Sequence, residues 1–171
     1  MATIRHSVPM VVQLQNPICW VACAAMILGW KRRQSVTIGD LLNGFDPSNS
    51  CIPNPAASSW DRMYNMLSGW GITSVGPQIC PAETYITNIL TNHGPFILTH
   101  YTSTLAPSVT GPGTHAVVVS GINTERGVCY FENPWGTANN EVPISTILAE
   151  MEKLWLLNLR SVAYVSSSFT L

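Results

Sequence analysis

The sequence predicts an α+β fold, with a helical first half packed against an antiparallel sheet built from the second. Three observations carry this. Up to about residue 94, apolar residues recur at helical spacing in segments that end at glycine. After Pro95 the pattern changes to short runs rich in Val, Ile, Phe and Tyr, separated by turn residues. Helices first and a meander of strands second is the order of an α+β domain, and 171 residues is one domain's length. The helical half is expected at about 16–94 and the sheet half at about 95–171.

Residues 1–15 read as an extended lead-in containing Pro9 and the apolar run Met10-Val11-Val12. Asn16 has the character of an N-cap and Pro17 that of a first helical residue, where a missing N–H costs little. The helix that follows is expected to end at Gly29, with Cys19 in its first turn. Thr37 caps a short helix reaching Asn43-Gly44, and a loop rich in Pro, Asn and Ser covers 45–59. Trp60 to Leu67 and Pro81 to Asn92 are the next two helical segments. Strands are expected at Phe96–Tyr101, His115–Ile122 and Val128–Glu132, the last two joined by a turn over Asn123–Gly127. Asn133-Pro134-Trp135-Gly136 breaks the third strand, Pro143–Met151 forms a short helix and Ser161–Val165 a last strand.

Composition excludes several classes. Hydrophobic residues make up 46% and charged residues only 10%, the opposite of a disordered chain. Eight basic and nine acidic residues give a net charge of −1, and Lys31-Arg32-Arg33 is the single basic cluster, so nucleic acid is not expected as a partner. The longest apolar run, Cys19 to Trp30, has 12 residues. A bilayer needs roughly 20, so no membrane span is expected, and no signal peptide is visible. The five cysteines, at 19, 23, 51, 80 and 129, show neither a disulfide framework nor metal-ligand spacing, so reduced thiols, no metal and no cofactor are expected. Low charge also predicts poor solubility in isolation, as for a domain of a larger chain or one seated on a partner.

A thiol attacks a carbonyl as the thiolate, and a helix N-terminus supplies positive potential that favours that form. Cys19 is placed for this. Cys23, one turn on, reads as an ordinary small core residue. Gln13, six positions before Cys19, is placed to donate its amide to the oxyanion of an attacked carbonyl, beside the backbone N–H of Cys19. His115 opens a strand, and Asn133 closes the neighbouring one eighteen positions later. A hairpin of that length sets the two side by side, where Asn133 can hold the imidazole tautomer and Trp135 can shield the bond from water.

These residues resemble the papain-like cysteine proteases. Gln13, five intervening residues, then Cys19-Trp20 is similar to that family's oxyanion glutamine and nucleophile motif. His115-Ala116 followed by valines resembles its histidine strand, and Asn133-Pro134-Trp135-Gly136 resembles its Asn-Ser-Trp-Gly. Compact size and the Asn-Pro pair are closer to bacterial members, the type III effector proteases and the bacteriocin-leader peptidase domains, which mostly carry Asp where this chain has Asn133. The resemblance implies a papain-like fold with its active site between the helical half and the sheet. It implies a cysteine endopeptidase: a Cys19 thiolate paired with protonated His115 attacks a peptide carbonyl, and Asn133 orients the ring. Gln13 and the Cys19 N–H stabilise the oxyanion, and water hydrolyses the thioester. It further implies an effector or toxin domain, secreted by a specialised bacterial system and acting on a protein substrate in the cytoplasm of a target cell. The producer would then carry a cognate inhibitor. The same thiol chemistry also serves an amidase acting on peptidoglycan stem peptides, a deamidase or an acyltransferase, and an inactive protease-like binding module is a further alternative.

Other candidates have plainer readings. His100 reads as a core or edge histidine, His93 as helix-terminal and His6 as mobile. Gln15 rivals Gln13 on position alone, nothing local recruits Asp40, Asp46 or Asp61, and Trp30, Trp60, Trp70 and Trp155 read as core or rim aromatics. Loops 45–59 and 101–114 are expected to carry substrate specificity.

Overall fold

The computed structural model describes residues 2–13, 18–43, 57–76, 82–100, 115–156 and 162–165. In chain order the elements are β1 (Thr3–Arg5), α1 (Cys19–Arg32), α2 (Ile38–Leu42), α3 (Ala57–Gly69), β2 (Ile72–Val75) and α4 (Glu83–Asn92). Then follow β3 (Phe96–His100), β4 (His115–Asn123), β5 (Val128–Asn133), β6 (Thr137–Pro143), α5 (Ile144–Leu156) and β7 (Val162–Val165). The architecture is α+β, as the change of periodicity at residue 95 predicts. One sheet runs β2-β7-β3-β4-β5-β6, with β1 on β4 and every pairing antiparallel.

β4 organises the sheet. It pairs with β3 over His115–Val119, and β1 takes over that edge at Gly121–Asn123. Its side chains alternate between two cores. Ala116 and Val118 face α1, while Val117, Val119 and Ile122 face the side covered by Ile86, Leu90 and Ile147 of α4 and α5. With helices on both faces, β4 reads as an unbroken apolar run rather than the alternation of a half-exposed strand.

α1 is buried from Cys19 to Gly29. Its sequence is apolar all round, as a helix enclosed by a core requires. It runs past Gly29, the expected stop, to a left-handed cap at Arg33 (φ 54°), whose N–H reaches the carbonyls of Gly29 and Trp30. Gly29 serves packing instead: a Cβ there would meet the Gln34 carbonyl and Pro9 Cγ, each at 3.1 Å. The N-cap position is Ile18, without a side-chain cap, and the predicted cap at Asn16-Pro17 lies outside the described residues. Thr37 caps α2 as expected, in a reciprocal box with Asp40.

Three strands were not foreseen from the sequence. β1 and β2 are drawn from the first 75 residues, so the sheet is not confined to the second half of the chain, and β6 lies between β5 and α5. The segment after β1 is tied down as well. His6 donates its backbone N–H to the Ser120 carbonyl at 2.8 Å, its Nε2 bonds the Leu90 carbonyl at 3.0 Å, and its ring packs edge-on to Trp30. His6 is therefore an anchor, not a mobile residue.

Candidate active site

Cys19 is the first residue of α1 and is 9% exposed. The backbone N–H groups of Cys19 and Trp20, at the helix start, and of Ala116, at the start of β4, point at its sulfur and favour the thiolate. Burial opposes them and is the larger effect, raising the thiol from 9.0 to about 11. The helix terminus thus acts in the expected direction but is outweighed by desolvation. Cys23, fully buried one turn below, is likewise pushed well up by burial.

The Ala116 contact brings Cys19 to the residue after His115. His115 Nε2 lies 3.0 Å from Asn133 Oδ1, and both side chains are buried. Asn133 Oδ1 also accepts the backbone N–H of Trp135 at 3.1 Å. An atom that receives a backbone N–H is an acceptor, so the ring nitrogen facing it must be the donor. His115 is therefore held with its proton on Nε2, and Nδ1 is left as the basic nitrogen. Burial lowers the His115 pKa from 6.5, and the Asn133 bond partly opposes the shift.

Asn133-Pro134-Trp135-Gly136 closes as a turn, the Gly136 N–H returning to the Asn133 carbonyl at 3.0 Å with Gly136 at φ 96°. The Trp135 ring stands edge-on to His115, centroids 6.2 Å apart, over one side of the pair. Gln13 joins the same turn: its backbone N–H donates to the Pro134 carbonyl at 2.8 Å, and its side-chain Oε1 is buried without a partner among the described residues. The structure thus brings Cys19, His115, Asn133 and Gln13 to one end of α1. Gln15, Asp46 and the loops over 101–114 and most of 45–59 lie outside the described residues.

Sequence reasoning passed over two neighbours of this cluster. His100, which reads as a core or edge histidine, is fully buried, and it pairs directly across from His115 with its ring edge-on at 5.5 Å. The signal was the hairpin: a strand ending in His100 and one opening with His115 face each other across a single connection. Glu132 reads in the sequence only as the end of a strand. It is 4% exposed, with Oε1 bonded to the Ser120 hydroxyl and Oε2 to the Asn139 N–H. Asp40 is occupied in its capping box, and His93 caps α4 and stacks on Tyr164.

A protein-family model described as "Papain-like cysteine protease AvrRpt2" matches residues 2–152. The chain belongs to that family. This papain-like cysteine protease is a cysteine peptidase, a hydrolase. Among solved structures it is similar to a double glycine motif protease from an AMS/PCAT transporter, determined in complex with the leader peptide. The TM-score is 0.51 and the identity 17%, covering 96% of each chain. At that identity the likeness bears on the fold, and it agrees with the α+β architecture. No curated protein matches the chain by sequence. No helix among the described residues is long and apolar enough to cross a membrane.

Proposed function

We propose that residues 1–171 form one papain-like endopeptidase domain that cleaves protein substrates through Cys19, His115, Asn133 and Gln13. The observation that carries the assignment is the buried bond from His115 Nε2–H to Asn133 Oδ1, beside a cysteine at a helix N-terminus. With Nε2 committed, Nδ1 is the nitrogen available to the thiol. Burial raises the Cys19 thiol and lowers the His115 ring, so the thiol must give its proton to Nδ1 for the sulfur to attack as the thiolate. The C–S bond forms as the carbonyl π bond opens. The resulting oxyanion is held by the Cys19 N–H and the Gln13 amide NH2. The tetrahedral intermediate collapses, and His115 hands its proton to the leaving amine. Water, deprotonated by His115, then hydrolyses the thioester and frees the thiol.

The neighbouring structure's leader-peptide complex supports a peptide segment as the form of substrate here. The resemblance to type III effector proteases supports a bacterial effector or toxin domain. Such a domain would be delivered by a specialised secretion system into the cytoplasm of a target cell and restrained in its producer by a cognate inhibitor.

The test is to incubate wild type and Cys19→Ala with bacterial and eukaryotic lysates and to identify new protein termini by mass spectrometry. Cuts at a few sites that need Cys19 are expected. No new termini in either lysate would overturn the endopeptidase reading and direct the assay to amine release from muropeptides. Growth arrest on cytosolic expression, absent with Cys19→Ala, is expected of a toxin, and normal growth with active enzyme would remove that role.

A further inference from the structure

Glu132 precedes Asn133 in β5, and the mechanism above gives its carboxylate no task. Both neighbours of β5 are irregular at this point. Towards β4, Val119 pairs with Phe131 and Gly121 with Tyr130, leaving Ser120 as an extra residue. Towards β6, Phe131 pairs with Asn140 and Asn133 with Thr137, so Glu132 faces both Ala138 and Asn139. Each is a bulge, where ladder bonds lapse and the strand can slip.

The carboxylate spans both. Ser120 donates its hydroxyl to Oε1 at 3.0 Å, and Asn139 donates its backbone N–H to Oε2 at 2.6 Å. Each extra residue is braced again from the N-terminal segment. The Ser120 carbonyl accepts the His6 N–H at 2.8 Å, and Asn139, held in the left-handed region at φ 57°, accepts Arg5 Nη2 on its side-chain oxygen at 2.8 Å. Arg5 and His6 line the same cleft as Glu132. Register in this stretch decides where Asn133 Oδ1 lies. A hydrogen bond at 3.0 Å tolerates only a few tenths of an ångström, and a one-residue slip turns the side chain to the opposite face.

We infer that Glu132 is a positioning residue: its buried carboxylate locks two β-bulges and thereby aims Asn133 at His115. The inference rests on the role assigned to Asn133. Glu132→Leu removes both acceptors and should lower kcat by at least about tenfold, with KM within about twofold. Glu132→Gln keeps an acceptor for Asn139 and a donor for Ser120, and should recover most of that loss. Ser120→Ala frees one bulge and should fall between them.

A readout independent of turnover is ring ¹⁵N NMR of His115 in a Cys19→Ala background. It should show the Nε2–H tautomer alone with Glu132 present, and a tautomer mixture with Glu132→Leu. Loss of Cys19-dependent activity from wild type would strike the functional reading, while the NMR comparison still decides on Glu132. A single tautomer and unchanged kcat in Glu132→Leu, beside an active wild type, would overturn the inference. Should Glu132→Leu not fold, the same two results in Ser120→Ala overturn it, and a tautomer mixture there supports it.

Discussion

Asn133→Ala removes the one oxygen to which both the His115 ring and the Trp135 backbone donate, at 3.0 and 3.1 Å. The two losses are unequal. Trp135 is 40% exposed, and its N–H can turn to water. His115 is 4% exposed, so its Nε2–H is left buried without an acceptor, or the ring turns to find one. A buried donor deprived of its partner costs about 1–3 kcal/mol, and the ring escapes that cost by adopting orientations or the Nδ1–H tautomer that cannot accept the Cys19 proton. If the whole penalty falls on the productive orientation, kcat/KM drops by roughly 5- to 150-fold. The assay is steady-state cleavage of a peptide taken from a mapped cut site, with far-UV circular dichroism as the check on folding. The loss should appear in kcat rather than KM, because the ring acts on the transferring proton and not on substrate binding. Asn133→Asp keeps the acceptor and adds a negative charge beside the ring. That raises the His115 pKa, so activity should persist but its acid limb should move to higher pH. A folded Asn133→Ala enzyme within about twofold of wild type would refute the orienting role.

Four further outcomes are expected. Gln13→Ala should lower kcat by roughly 10²–10³ and leave the melting temperature unchanged within error, while near-normal turnover would place the oxyanion donor elsewhere, with Gln15 the first residue to try. Native Cys19 keeps its proton to about pH 11 and the unfolded chain loses it near 9.0, so the native state binds more protons between these values and stability must fall as pH rises through them. At pH 10 this amounts to about 1.4 kcal/mol for Cys19, a fall that Cys19→Ala should reduce in urea titrations, whereas identical pH dependence in the two proteins would contradict the burial effect. The His115 shift has the opposite sense: its lowered pKa makes acidification below 6.5 destabilising. Gly94→Ala places a Cβ 2.0 Å from Trp30 Cη2 at φ +86°, combining left-handed strain with overpacking. It should cost about 2–5 kcal/mol, or roughly 4–20 °C in Tm by calorimetry, and a shift under about 2 °C would show that Trp30 moves aside freely.

The fold and the candidate cluster were legible where local chemistry and tertiary structure agree. α1 announces itself by an apolar run with no polar face, and β3, β4 and β5 by β-branched and aromatic runs broken at Asn123–Gly127 and Asn133–Gly136. His115 and Asn133 could be paired from sequence because a hairpin converts an eighteen-residue separation into adjacency. β6 was illegible for a physical reason: Thr-Ala-Asn-Asn-Glu-Val-Pro has little strand propensity, and it becomes a strand because β5 offers it a ladder. β1 has only three residues and depends in the same way on the edge that β3 leaves free. Gly29 misled because its smallness serves Pro9 and Gln34, which approach from outside the helix. The ionisation of Cys19 was half legible. A helix start is visible in sequence, but the burial that outweighs it is a property of the assembled core. The bulges at Ser120 and Glu132 are set by strand pairing and leave no local pattern.

The central claim is that Cys19 is the nucleophile and His115 its base. It is tested most directly by alkylating the folded protein with a limiting amount of iodoacetamide and mapping the label by peptide mass spectrometry. Wild type should label at Cys19, His115 taking the thiol proton as the sulfur attacks, at a rate that His115→Ala lowers at pH 7. A Cys19 that takes no label, or a Cys19 rate indifferent to His115, would contradict it.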